Sequence, residues 1–372
     1  MATRTVDQLG IDLDAVEEAL SRDMTFPARW YSDPDIYAFE LEHIFTRSWQ
    51  YVGPLAKLAR PGDHIVGRAG HVPIAVTRGK QGELHGFINV CRHRAFPVLV
   101  EDGNRSTLQC GYHAWTYNLD GSLRAAPRSE REHCFNKEDF SLLPVSVETW
   151  NGLVFVNPDP GAPSMRECYP EFFPLAEERA LDFQSYRYHD RFTYEVPANW
   201  KVWVENASEC YHCPTVHKNS FSDAFADDAD TYEYVDGHRV LGQFTVYNPR
   251  AKKYAHPARE DDRQFRYLFL WPTSTIVQDD WVAFPGVIVP TGPETCQFIA
   301  DMYVHPDLGQ DQADEWVEMW NQTLLEDTEA VLLQQPGLSS QMVPYGRLMP
   351  ASESAIARFH RMVFESFSEA LD

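Results

Sequence analysis

The sequence is short of positive charge and has no long hydrophobic run. Against 55 Asp and Glu there are 32 Lys and Arg among its 372 residues, a formal net charge of −23. Such a chain repels phosphate backbones and anionic bilayers, which argues against nucleic acid or a membrane surface as partner. The longest apolar stretch, at residues 281–290, is interrupted by Pro285 and is far too short to span a bilayer. Residues 1–10 contain no apolar segment of the secretory kind, so a cytoplasmic location is expected. Seven cysteines, an odd number, point to thiols or metal ligands and away from a disulfide framework. No G-x-G-x-x-G follows a strand-like segment, and no C-x₄-C-x₂-C occurs, so flavin, nicotinamide and plant-type ferredoxin modules are not expected. Internal repeats and low-complexity segments are also missing.

What is present suits a globular chain of two domains: 44% hydrophobic residues, 13% aromatic, and enough length for two cores. Residues 11–47 carry short helical patterns at 13–20 and 34–45. From Trp49 onward, short β-branched and aromatic runs (64–66, 73–77, 86–90, 153–157) are divided by turn signals at 79–82 and 118–121. Residues 48–160 therefore read as a small all-β domain, ending near the Asn157-Pro158-Asp159-Pro160-Gly161 cluster. Beyond it, strand-like stretches (186–196, 239–248, 265–271, 281–289, 295–304) alternate with helical ones, the clearest at 313–335 and 353–371. Residues 161–372 thus read as an α+β domain with an antiparallel sheet, and 1–47 as a helical segment packing on it.

Two constellations carry chemistry. Cys91-Arg92-His93 is followed, sixteen residues later, by Cys110-Gly111-Tyr112-His113. A C-x-H…C-x-x-H pair offers two thiolates and two neutral imidazoles from adjacent loops. Replacing two of four thiolates of a [2Fe–2S] cluster by His lowers the charge on one iron and raises its reduction potential. Structural zinc also takes Cys₂His₂ sets, although usually as Cys-x₂₋₄-Cys with His-x₃₋₅-His. A zinc-stabilised binding protein thus stands as one alternative, and a pure electron-transfer protein as another.

The second constellation speaks against the pure electron-transfer reading. Glu209 and His212 are three residues apart, as on one face of a helix, and Pro214 is expected to break that helix and swing His217 toward the same point. Two imidazoles and one carboxylate hold Fe(II) on one face and leave positions open for O₂ and substrate. For the carboxylate we look to the helix at 313–335. There Trp316, Trp320, Leu324 and Val331 fall within about 60° of Asp327 on the wheel. An acid in an apolar stripe needs a partner; the neighbouring Glu326 and Glu329 are expected to point away from it. Cys210 and Cys213, inside this motif, are read as packing residues, as are the isolated Cys134, Cys168 and Cys296. His43, His64, His71 and His360 are read as ordinary surface or core histidines.

The stretches CRHRAFPV and CGYHAWTYNLDGSL, together with E-x-x-H-x-x-x-x-H and the Glu-Asp pair at 326–327, resemble the oxygenase alpha subunits of the Rieske non-haem iron (ring-hydroxylating) family. The resemblance runs over most of the chain. Two positions depart from the usual text: Gly111 stands where Pro is common, and Ala95 where Gly is common. The resemblance implies a Rieske [2Fe–2S] domain joined to a helix-grip catalytic domain. It implies Cys91, His93, Cys110 and His113 as cluster ligands and His212, His217 and Asp327 as ligands of a mononuclear iron. Glu209 is then no ligand but the acid bridging His212 to the cluster ligand His113 of a neighbouring subunit, within a homotrimer. NAD(P)H enters only through a separate reductase, with or without a ferredoxin.

The implied reaction is O₂-dependent hydroxylation or oxidative demethylation of a small substrate. Glu209, where arene dioxygenases usually have Asp, and the text at 326–359 resemble the subgroup acting on choline, glycine betaine, carnitine and stachydrine. An aromatic compound is the alternative substrate.

Overall fold

The computed structural model describes residues 6–226, 231–248 and 264–370. The chain divides into two compact units: Phe45–Met165, and Met1–Ile44 together with Arg166–Asp372.

The first unit is all-β apart from short 3₁₀ turns. Across its larger sheet run Gln50–Pro54, Leu153–Asn157, Pro144–Trp150, Leu84–Ile88, Val72–Arg78, Asp63–Ala69 and Gly103–Asn104. A small sheet of Leu108–Gln109, Thr116–Tyr117 and Leu123–Ala125 stands apart from it. Period-2 alternation sends Ile65, Ile74, Val76, Val145, Val154 and Val156 into one core. A second core gathers Phe87, Leu99, Leu108, Trp115 and Tyr117 with the two cysteines Cys91 and Cys110. The turn at 79–82 closes a hairpin, with the Gly79 amide donating to the Glu83 carbonyl and Gly82 at φ +92°. The strands Gln50–Pro54 and Pro144–Trp150 escaped the sequence reading.

The second unit is a seven-stranded antiparallel sheet with helices. Its strands run in the order Arg187–Val196, Thr295–Val304, Val282–Gly292, Ser274–Gln278, Gln264–Leu270, Val240–Val246 and Glu233–Asp236. Only the first is out of sequence order. The strand Ser274–Gln278, also absent from the sequence reading, is buried along its whole length. The long helix Gln310–Ser339 packs Trp316, Trp320, Leu324 and Val331 inward. It does not stop before Pro336, as a proline in helical text suggests. It runs one turn further because Gln335 is fastened on both sides: its Oε1 accepts from the Asn199 amide at 2.9 Å, and its Nε2 donates to the Tyr31 carbonyl at 3.0 Å.

The N-terminal segment of this unit is held by buried charge. Lys201 Nζ lies 2.5 Å from Glu40 Oε1, and both side chains are fully buried. Trp200 Nε1 donates to the other Glu40 oxygen at 2.8 Å. One turn on, the Tyr31 hydroxyl (2.7 Å) and His360 Nε2 (2.9 Å) meet Glu205 Oε1. Helix Trp200–Ala207, which leads into the second constellation, is thereby positioned by Tyr31, Glu40 and His360, none of which belongs to either motif. Of the other isolated histidines, His64 is a core residue whose Nδ1 lies 3.1 Å from the Gly62 carbonyl.

Candidate redox and metal sites

In the first unit the two motif loops have the same hydrogen-bonded shape. The Cys91 amide donates to the Phe96 carbonyl, and the Cys110 amide to the Trp115 carbonyl, each at 2.8 Å. Four residues after each cysteine, Ala95 and Ala114 donate back to the cysteine carbonyl. Both alanines sit at positive φ, +55° and +60°. This explains why glycine is common at position 95: the backbone there needs the left-handed region that glycine enters freely and alanine only at a cost. Gly111 has no such need, since a Cβ there would only touch Phe96 at 3.7 Å.

The loops point their donors in a consistent way. Cys91 and Cys110 are each 2% exposed, whereas His93 is exposed and His113 half-buried. The imidazoles lie beside each other, ring centroids 4.5 Å apart, and His93 stacks on Trp115. The Tyr117 hydroxyl lies 3.3 Å from Cys91 Sγ and accepts from the Arg92 amide at 3.0 Å. Arg94 donates to His113 Nε2 at 2.8 Å, a contact that the motif spacing did not reveal. Two buried sulfurs and two outward imidazoles on matched loops are a donor set that fits a [2Fe–2S] cluster with one His-held iron.

In the second unit the local structure differs from the expected helix. Helix Trp200–Ala207 ends before Glu209, so Glu209 and His212 do not share a helical face. The Glu209 carboxylate caps the turn instead, accepting from the Tyr211 and His212 amides. Pro214 does not break a helix but opens the next one, Cys213–Val216, where a missing N–H leaves no bond unmade. This tight turn also brings Cys210 and Cys213 together as a disulfide, so they are not the free packing thiols expected.

The turn delivers His212 and His217 to one point, and the long helix delivers Asp327. The two Nε2 atoms are 3.1 Å apart, and Asp327 Oδ1 lies 3.3 Å from that of His212 and 3.1 Å from that of His217. Metal–nitrogen bonds of about 2.1 Å at right angles place neighbouring donors about 3 Å apart. Asp327 Oδ1 is buried and makes no hydrogen bond of acceptable geometry. Two acceptor-capable nitrogens and an orphaned carboxylate oxygen facing one another call for a shared cation. The same crowding shows in their titration. Burial opposes charge on His212, but Asp327 and Glu209 push it up to about 10. Burial would raise the Asp327 carboxyl, yet the two imidazoles outweigh it and hold it well below the usual range. Cys213 also adjoins the point, its Sγ 4.0 Å from His212 Nε2.

Each imidazole is gripped from behind by a second carboxylate. His212 Nδ1 meets Glu209 Oε1 at 2.5 Å, and His217 Nδ1 meets Glu326 Oε2 at 2.9 Å. Ser220 and Gln322 donate to the same Glu326 carboxylate at 2.6 and 2.9 Å. The expectation that Glu326 points away from the stripe is therefore wrong. It sits on the flank of the stripe, half-buried, where a two-methylene stem reaches the far nitrogen of His217. Carboxylates in this position fix the tautomer and raise the ligand strength of the imidazole.

Over the triad lies a cavity whose floor is one face of the sheet. Gln243, Tyr267, Val277 and Phe284 stand opposite one another in register across four strands, with Phe265 and Thr275 two residues along. Trp203, Asn206, Trp320, Thr323 and Leu324 close it from the helices. Gly286 is required here: a Cβ would fall 2.6 Å from both the Phe298 ring and Thr275 Oγ1.

Known proteins account for this pairing of sites. Residues 48–147 match the model of the Rieske [2Fe-2S] domain, and residues 183–369 that of the ring hydroxylating alpha subunit (catalytic domain). The chain therefore belongs to the Rieske ring-hydroxylating oxygenase alpha-subunit family. It is an O₂-dependent oxidoreductase, the oxygenase component that carries a [2Fe–2S] cluster and a mononuclear iron and receives electrons of NAD(P)H through a separate reductase. It is 33% identical over 354 residues to the carnitine monooxygenase oxygenase subunit of Acinetobacter pittii (strain PHEA-2), covering 91% of this chain and 94% of that one. It is 27% identical over 344 residues to chloroplastic choline monooxygenase of Atriplex hortensis, covering 91% and 76%. Among solved structures, the quaternary ammonium Rieske monooxygenase CntA with its substrate L-carnitine superposes with a TM-score of 0.82 at 30% identity, over 96% of this chain and 99% of that one. Among the described residues no helix is long and apolar enough to cross a membrane.

Proposed function

We propose that this chain is the oxygenase of a quaternary-ammonium monooxygenase, hydroxylating or oxidatively demethylating a small trimethylammonium compound. The observation that carries this reading is the cavity over His212, His217 and Asp327. Trp203, Phe221, Phe265, Tyr267, Phe284, Phe298 and Trp320 wall it with aromatic rings, and its described acidic lining groups are Glu209 and Asp327. Ring faces attract an ammonium group that cannot donate hydrogen bonds, by about 0.5–2 kcal/mol per contact. The carnitine- and choline-named relatives support the same class.

In this reading Cys91, His93, Cys110 and His113 hold the cluster, and His212, His217 and Asp327 hold the mononuclear iron. Iron bound there supplies O₂ activation next to the substrate. The chain's own part is to orient and to exclude water. Glu209 keeps the Nδ1 proton of His212 and Glu326 that of His217, so both Nε2 atoms face inward as acceptors. The aromatic walls keep the substrate's carbon close to the open face. The working unit is a homotrimer, in which Glu209 links His212 to His113 of a neighbouring subunit. Functionally, residues 1–47 brace the catalytic domain, 48–160 form the Rieske domain and 161–372 the catalytic domain; the enzyme works in the cytoplasm with no membrane or nucleic-acid partner.

The test is substrate-dependent O₂ uptake by the iron-loaded protein with a surrogate reductase, across choline, glycine betaine, L-carnitine and substituted benzoates. Turnover of an ammonium compound with matching product supports the reading. Turnover of aromatic compounds alone replaces it with the aromatic alternative.

A further inference from the structure

The cavity over the triad holds polar atoms that the protein leaves without a well-formed hydrogen bond. Tyr267 and Thr275 are 5% and 2% exposed; the Thr275 hydroxyl has no hydrogen-bond partner, and the Tyr267 hydroxyl has only the Ser208 side chain beside it, without a bond of acceptable geometry. Asn206 Oδ1 also has no hydrogen-bond partner, and all three residues line this one cavity. A buried polar atom without a well-formed bond costs free energy, so three of them on the wall of one cavity mark where a ligand completes the bonding.

Their placement follows from the fold. Tyr267 pairs with Val277 in register, and Thr275 is two residues from Val277 on the same strand, so both side chains rise from one sheet face. Gly286 stands opposite Thr275, and its missing side chain keeps the Thr275 hydroxyl uncovered. Asn206 comes down from helix Trp200–Ala207 on the other side of the cavity. Burial pushes the Tyr267 phenol far above its ordinary range, so it stays protonated and able to donate.

We infer that Asn206, Tyr267 and Thr275 form a subsite for a hydroxyl group of the substrate. Two hydroxyls donate to the substrate oxygen, and Asn206 Oδ1 accepts the substrate's O–H. A carboxylate satisfies only the first half of this set, because its oxygens meet the Asn206 carbonyl lone pairs without a proton between them. A hydrocarbon satisfies neither. The subsite therefore selects amino alcohols among trimethylammonium compounds, and in this it rests on the proposed substrate class.

The experiment uses the intact protein and two pairs that differ by one hydroxyl: choline with ethyltrimethylammonium, and L-carnitine with γ-butyrobetaine. Dissociation constants come from calorimetry on the oxidised enzyme, and kcat/KM from O₂ uptake. Wild type is expected to favour the hydroxylated member of at least one pair by about tenfold or more. Tyr267→Phe and Thr275→Val, which each remove a hydroxyl and little volume, should bring that ratio toward one, with the loss in Kd and KM and not in kcat. Iron content and far-UV circular dichroism verify that each variant is folded. An unchanged ratio, or equal losses for both members of a pair, overturns the subsite. If wild type binds none of the four compounds but turns over an aromatic one, the substrate class has failed instead. The same variants are then compared on that aromatic compound with and without a hydroxyl, and the same ratio decides the subsite.

Discussion

Glu326 holds His217 by its Nδ1 atom, 2.9 Å away, while the next residue in the helix meets the Nε2 atom of the same ring. Neighbouring carboxylates of one helix thus address opposite edges of one imidazole. Glu326→Gln keeps the side-chain length but replaces the carboxylate acceptor. It is expected to weaken iron retention at the mononuclear site by about 10- to 100-fold. The measurement is iron per chain after dialysis against a chelator, with the cluster's visible spectrum as internal control. Unchanged retention would show that the contact is incidental.

The two centres should be separable. Cys91→Ser is expected to abolish the visible cluster spectrum, whereas His217→Ala or Asp327→Ala should keep that spectrum and lose turnover. Metal and acid-labile sulfide analysis of wild type should give about three irons and two sulfides per chain, as the two donor sets require. One zinc per chain without sulfide is the result that sinks both assignments.

For Glu209 the proposed role is electronic coupling, and iron retention is a secondary matter. Glu209→Gln still caps the turn and still hydrogen-bonds, but it no longer offers a carboxylate to two imidazoles. Both metals should remain, and cluster oxidation by O₂ in a single turnover should lag far behind wild type. Equal rates would remove Glu209 from the electron path, and loss of the mononuclear iron alone would make it a ligand.

Ala95 sits at φ +55° in the loop after Cys91. Ala95→Gly relieves the left-handed strain but adds freedom to the unfolded chain, for a net gain of roughly 0.5–1 kcal/mol. The gain is read as later thermal loss of the cluster's visible absorbance. An earlier loss would mean the Ala95 methyl makes contacts that outweigh its backbone strain.

Asp279 gives a stability with a pH sense. Burial pushes its carboxyl up to about 7, even though Trp281, Val282 and Trp320 all donate to it. The folded protein therefore holds a proton that the unfolded chain has already released between about pH 4 and 7. Stability from this group is full at acid pH and falls as pH rises toward 7. Asp279→Asn should flatten that part of the profile, measured as denaturation midpoints at pH 5, 6 and 7 relative to wild type. A parallel shift at all three would show that Asp279 does not titrate there.

How far the sequence reached depended on whether a property was local. Both motifs were legible because ligand chemistry restricts residue type and spacing: C-x-H…C-x-x-H and H-x₄-H leave few other readings. Asp327 was legible because helical periodicity set an acid among Trp316, Trp320 and Leu324, where only a partner makes it tolerable. Most of the longer strands were found, and three short or intervening ones, Gln50–Pro54, Pro144–Trp150 and Ser274–Gln278, were not. The rest was decided by tertiary structure. The turn at Glu209–His212 is set by the Glu209 carboxylate folding back on two amides, where helical spacing had suggested a continuous helix. Glu326 reaches His217 across 109 positions. Tyr267, Thr275 and Asn206 line one cavity only when sheet register and a helix meet over the triad. Such distant pairings depend on register and packing, which are properties of the whole chain and leave no short-range pattern to read.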